Sequence, residues 1–87
     1  MNFFIDFFMH EFSIALEIVD TLQENGYLEG VKSVSEVKLN LGKYSGIDKN
    51  YLVFAFQNLN DERFKNVLLD FIPTGGDEIT IREILVD

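Results

Sequence analysis

Eighty-seven residues, 47% of them hydrophobic, suffice for one compact domain with one core and argue against a second. Fifteen acidic residues against seven basic ones give a formal net charge of -8, which repels a phosphate backbone at long range and counts against a nucleic-acid partner. With no cysteine there is neither a disulfide framework nor a thiolate zinc site, so nine Phe and three Tyr must help supply the core by packing alone.

Residues 1–8 are read as an N-terminal extension or leader. Its apolar stretch Asn2 to Phe8 is broken by Asp6 and is too short for a signal peptide or for a membrane span of about 20 apolar residues. A soluble, cytoplasmic protein without a membrane contact is expected. An exposed apolar end favours weak self-association at most, so the expected state is a monomer or a weak homo-oligomer.

From about Glu11 to Asn25 the apolar residues Phe12, Ala15, Leu16, Val19 and Leu22 recur at helical spacing, with Ile14 and Ile18 widening the stripe. Glu17, Asp20 and Glu24 occupy the opposite face, and Gly26 is placed for a left-handed C-cap. The period then changes to two. Val37, Leu39 and Leu41 alternate with Glu36, Lys38 and Asn40, which predicts a strand with one buried face ending at Gly42.

The loop Lys43 to Ile47 leads to Asp48, a good N-cap for a second helix in which Leu52, Ala55, Phe56 and Leu59 share a face. Gly42, Ser45 and Gly46 in this loop read as turn chemistry. Val67, Leu69 and Phe71 predict a second strand, stopped at Pro73 because proline cannot donate to a ladder. After Thr74-Gly75-Gly76-Asp77, a third strand opens with Ile79 and Ile81 and shifts phase to Ile84 and Val86, which suggests a bulge near Arg82 and Glu83.

The order α-β-α-β-β implies a right-handed parallel crossover in the middle, and the short glycine-rich link predicts an antiparallel pairing of the last two strands. The expected fold is α+β: a single two-layer domain with a mixed three-stranded sheet and two helices on one face.

His10 is the only histidine and, without cysteine, the only side chain here that binds borderline transition metals well at neutral pH. A lone histidine near a helix start is more often a partly buried residue bonded to backbone. If the chain began at Met9, however, its amine, the His10 amide nitrogen and the imidazole could chelate one ion in fused rings, a planar arrangement that suits Ni(II) or Cu(II).

The run Met9-His10-Glu11-Phe12-Ser13-Ile14-Ala15 resembles the N-terminal motif of the HypA/HybF family. Val37 to Gly46 looks like that family's strand and glycine-serine loop, Leu52 to Phe56 resembles its second helix, and Gly76 to Ile81 resembles its terminal strand. The resemblance implies a non-catalytic chaperone that receives Ni(II) and passes it, with the GTPase HypB and the hydrogenase maturation machinery, toward [NiFe]-hydrogenase and in some organisms urease. It also implies His10 as the essential ligand, Met9 and Glu11 as main-chain nitrogen donors with the Glu11 carboxylate assisting, and Asp48 as a further candidate, although helix capping explains Asp48 sufficiently.

Two departures stand out. The family's zinc domain, with two Cys-x-x-Cys pairs, falls between Pro73 and Asp77, where only Thr74-Gly75-Gly76 remains. Residues 9–87 are thus read as the nickel-binding domain without the zinc insertion at about 73–77, in a natural relative or an engineered truncation, and no zinc is expected. The leader also turns the Met9 amine into an amide, a poor ligand unless deprotonated. The alternative function is a metal-free protein-interaction adaptor. An enzyme is disfavoured, because neither a phosphate loop nor a carboxylate pair arranged for acid and base work is present.

Overall fold

The computed structural model describes residues 3–87, with side chains from His10 onward. Its order is α1 (Phe3–Glu24), β1 (Val34–Gly42), α2 (Lys49–Gln57), a 3-10 turn (Glu62–Phe64), β2 (Leu68–Thr74) and β3 (Ile79–Val86). The expected α-β-α-β-β order and α+β class hold. Helix α1 does not begin near Glu11 but runs back to Phe3, and nothing in that stretch, which lacks Pro and Gly, interrupts a helical ladder.

At its other end α1 closes as predicted. Gly26 adopts a φ of 79°, its amide donates to Gln23 at 3.1 Å, and the Tyr27 amide donates to Leu22 at 3.0 Å. This pair of bonds is a Schellman closure, which needs a residue that enters the left-handed region cheaply. The chain then tucks Leu28 into the core before β1 starts.

The sheet order is β2-β1-β3, with β1 parallel to β2 and antiparallel to β3. The expected β2–β3 hairpin is therefore corrected, because the two strands flank β1 and do not pair. The physical reason lies in burial. Val37 and Leu39 are fully buried and Leu41 nearly so, which makes β1 the most deeply buried strand and favours the position where both of its edges are satisfied. Pro73 and a bulge suit β2 and β3 to the edges.

The bulge falls where the phase shift placed it, since Lys38 opposes Glu83 and Leu39 opposes Ile81, leaving Arg82 unmatched. A second irregularity leaves Ser35 unmatched on β1, and its hydroxyl donates to the Leu85 carbonyl at 3.1 Å.

Both helices cover one sheet face. Ala15, Ile18, Val19 and Leu22 of α1 and Leu52, Ala55 and Phe56 of α2 join Val37 and Leu39 in one buried cluster. Leu16, expected in the stripe, is 52% exposed. The buried line is centred on positions 11, 15, 18 and 22, so Leu16 lies toward its outer flank. The 3-10 turn, which the sequence pattern did not reveal, buries Phe64 against Phe56, with ring centroids 5.9 Å apart. Asp61 pins that turn by accepting from Arg63 at 2.7 Å, and the guanidinium holds its carboxyl below the usual carboxylate value.

Because β1 lies between β2 and β3, their link must cross the end of β1. It does so in close contact: the Lys43 amide donates to Thr74 at 2.9 Å, Tyr44 to Gly76 at 2.9 Å and Gly42 to Glu78 at 2.7 Å. A Cβ at Gly42 would sit 2.6 Å from the Gly76 carbonyl carbon and 2.8 Å from the Asp77 nitrogen. Gly42→Ala is expected to cost about 1–3 kcal/mol, as overpacking against backbone does. Gly75→Ala, whose added methyl meets nothing within 4 Å, should stay within about 0.5 kcal/mol of wild type. Urea unfolding measures both, and equal losses would contradict the close crossing.

Candidate functional site

Helical phase decides what the Met9-His10-Glu11 motif can do. Positions 11, 15, 18 and 22 fall on one line of α1, so Glu11 shares the inward face with Ala15, Ile18 and Leu22 and is only 1% exposed. A carboxylate so placed is costly unless it finds donors. Its Oε2 accepts from the Asp48 amide at 3.1 Å, while Oε1 is buried without a hydrogen-bond partner. Glu11 thereby ties α1 to the N-terminus of α2, where the helix dipole also favours a negative group.

His10 is the next residue round the helix, and its side chain is 55% exposed. Its Nδ1 lies 3.7 Å from Glu11 Oε2, beyond hydrogen-bond reach. The imidazole and the buried carboxylate therefore adjoin without bonding. The side chain of Met9 lies outside the described residues.

Asp48 is exposed and caps α2, its Oδ1 accepting from the Tyr51 amide at 3.0 Å. Capping accounts for its carboxylate, while its amide serves Glu11. The structure thus draws His10, Glu11 and Asp48 into one neighbourhood through Glu11 Oε2. Among the described residues, no group of three or more His, Cys, Asp or Glu side chains is placed to hold a metal ion.

His10 also lies inside α1, so its amide belongs to a helical ladder and not to a chain terminus. The fused-ring chelate expected of a terminal amine is not what the 87-residue chain offers in this conformation. Sequence reasoning treated Glu11 as a main-chain ligand and missed its buried role. The signal was present, since Glu11 continues the spacing of Ala15, Ile18 and Leu22 by one helical step toward the N-terminus.

Two substitutions separate these roles. Glu11→Ala leaves the Asp48 amide unpaired and is expected to cost about 2 kcal/mol, whereas Asp48→Ala removes one cap and should cost about 1 kcal/mol. Glu11→Gln keeps an acceptor oxygen and should recover most of the first loss. Chemical denaturation reads all three, and an unchanged midpoint for Glu11→Ala would show the Glu11–Asp48 contact to be idle.

Among the described residues no helix is long and apolar enough to cross a membrane. The family model described as hydrogenase/urease nickel incorporation, metallochaperone, hypA matches residues 9–76. A hydrogenase maturation factor HypA from Syntrophus aciditrophicus is 35% identical over 68 residues, covering 75% of this chain and 60% of the relative. One from Chlorobium limicola is 44% identical over 48 residues, covering 55% of this chain and 41% of the relative. The chain therefore spans about two-fifths to three-fifths of the length of these relatives.

A solution structure of HypA protein superposes with a TM-score of 0.68 at 17% identity, covering 90% of this chain and 96% of that one. The nickel metallochaperone HypA from Helicobacter pylori gives 0.56 at 16% identity, with 87% and 92% covered. At such identities these two similarities speak for the fold, which agrees with the sequence match. The chain belongs to the HypA family of hydrogenase/urease nickel-incorporation metallochaperones.

Proposed function

We propose that this chain carries Ni(II) for the maturation of hydrogenase, and of urease where that enzyme is present, in concert with a HypB-type GTPase. His10 is the anchoring ligand. Met9 supplies main-chain nitrogen and Glu11 contributes its amide, with the buried carboxylate beside the imidazole. Asp48 acts by holding the start of α2. A thiolate zinc site has no part in this reading, since the chain has no Cys.

The observation that carries this reading is the position of Met9-His10-Glu11 at the start of the family match, with the chain's one imidazole presented to solvent. Neighbouring chemistry supports it. Glu11 Oε2 lies 3.7 Å from the imidazole, and Oε1 of the same buried side chain has no hydrogen-bond partner, so one of its acceptor oxygens is not consumed by the fold. Nothing in this arrangement suggests turnover of a substrate, and delivery of a bound ion is the fitting activity.

A second reading is supported by the placement of His10 within α1. If the helix persists through residues 3–10, the amine-based chelate cannot form, and the domain would act as a metal-free adaptor for the maturation machinery. Ni(II) titration calorimetry on the 87-residue chain and on a version starting at Met9 distinguishes the two. The shorter chain should bind at least about tenfold more tightly, because an amine of pKa near 8 is far easier to deprotonate than an amide. His10→Ala should abolish that binding. Equal affinities of the two lengths would refute the amine ligand, and indifference to His10→Ala would leave the adaptor reading.

A further inference from the structure

We propose that the cavity at the C-terminal ends of β1 and β2 is a binding site for a phosphate group, held by Lys43, Lys49, Ser45 and Thr74. It is an open cavity of about 400 Å³ between the β1–α2 loop, the start of α2 and the end of β2, floored by apolar groups such as Leu41 and Phe71. The carboxyl ends of parallel strands joined by a crossover are where α/β units commonly receive ligands. Position alone does not define the ligand, and the lining does.

The two charged residues in that lining are lysines, and no carboxylate accompanies them, in a chain with fifteen acidic residues and seven basic ones. Lys43 Nζ lies 5.6 Å from the Tyr44 ring centroid and Lys49 Nζ 5.8 Å from that of Phe71, and among the described residues neither ammonium meets a carboxylate. Both are therefore available to an anion. The net charge of -8 does not forbid this, because the Debye length at physiological salt is about 8 Å and the nearest charges decide.

Two hydroxyls complete the donor set. Thr74 Oγ1 is buried with no hydrogen-bond partner, a costly state for a hydroxyl that a ligand oxygen would relieve. Ser45 Oγ accepts from the Ile47 amide at 3.3 Å and keeps its own proton to donate. The amides of Gly42, Lys43, Tyr44 and Ser45 all donate within the protein, so the anion is held by side chains and not by a glycine-rich amide cradle. Two ammoniums and two hydroxyls match the several acceptor oxygens of a phosphate better than the two of a carboxylate.

The test titrates inorganic phosphate and, separately, phenyl phosphate into the isotope-labelled 87-residue chain while amide shifts are followed by NMR. Saturable shifts confined to residues 42–49 and 71–75 are expected. They should weaken at least about tenfold in the Lys43→Ala/Lys49→Ala double variant, which removes both charge-assisted bonds, and persist in Lys65→Ala. Thr74→Val should weaken binding about fivefold, the value of one hydrogen bond, while unfolding at the same or a higher urea concentration.

Tighter binding of phenyl phosphate would assign the site to a phosphate ester with an apolar body, and equal binding to free phosphate. Absence of saturable shifts, the same shifts with acetate or chloride at matched ionic strength, or full retention in the double lysine variant would each overturn the proposal. Thr74→Val that destabilises the fold and leaves binding intact would make that hydroxyl structural and overturn its assignment as a ligand.

Discussion

The central place of β1 is the constraint from which the rest of the architecture follows. Val37, Leu39 and Leu41 turn one face of this strand into the floor of the core, and both of its edges carry partners. An apolar strand so satisfied excludes water from its ladder on either side, which neither the proline-containing β2 nor the bulged β3 could do as well. Once β1 is central, β2 and β3 can communicate only across its end. That requirement explains the close passage of Gly76 over Gly42, and it packs the β1–α2 loop and the β2–β3 link against one another.

A second constraint couples the motif to the fold. His10 and Glu11 are adjacent in sequence, but about 100° of helical rotation separates them, so one faces solvent while the other enters the core. The buried member is not inert, for its Oε2 takes the amide at the start of α2 and so fixes how the two helices meet. Any change in the position of α2 would be felt beside the imidazole. The edge-to-face contact of Phe12 with Phe54, at 6.2 Å between centroids, reinforces the same junction one residue further along α1.

What was legible in the sequence is what local chemistry determines. The Gly26 closure, the Asp48 cap, the alternation of β1 and the bulge at Arg82 each depend on a few neighbouring residues and were found where expected. Pairing was harder to read. A four-residue link between two strands ordinarily means a hairpin, and only the competition among three strands for the central position reverses that inference. The extension of α1 to Phe3, the exposure of Leu16 and the burial of Glu11 all follow from one misjudged quantity, the phase and length of the first helix. Phe64 was missed because a single 3-10 turn carries too short a pattern to register.

Family membership and metal chemistry rest on different parts of the chain, and they can part company. The fold requires the buried line of α1 from Glu11 onward, the central strand and α2, which lie within residues 9–76 of the family match. The proposed metal chemistry instead turns on a main-chain nitrogen whose acidity changes by many powers of ten when an amine becomes an amide. A helix that continues through His10 adds a further cost, because it occupies the nitrogen that a chelate would claim. The same seven residues can therefore keep the structural role of Glu11 and Ala15 in the core while the proposed ligand role of His10 depends on what precedes it.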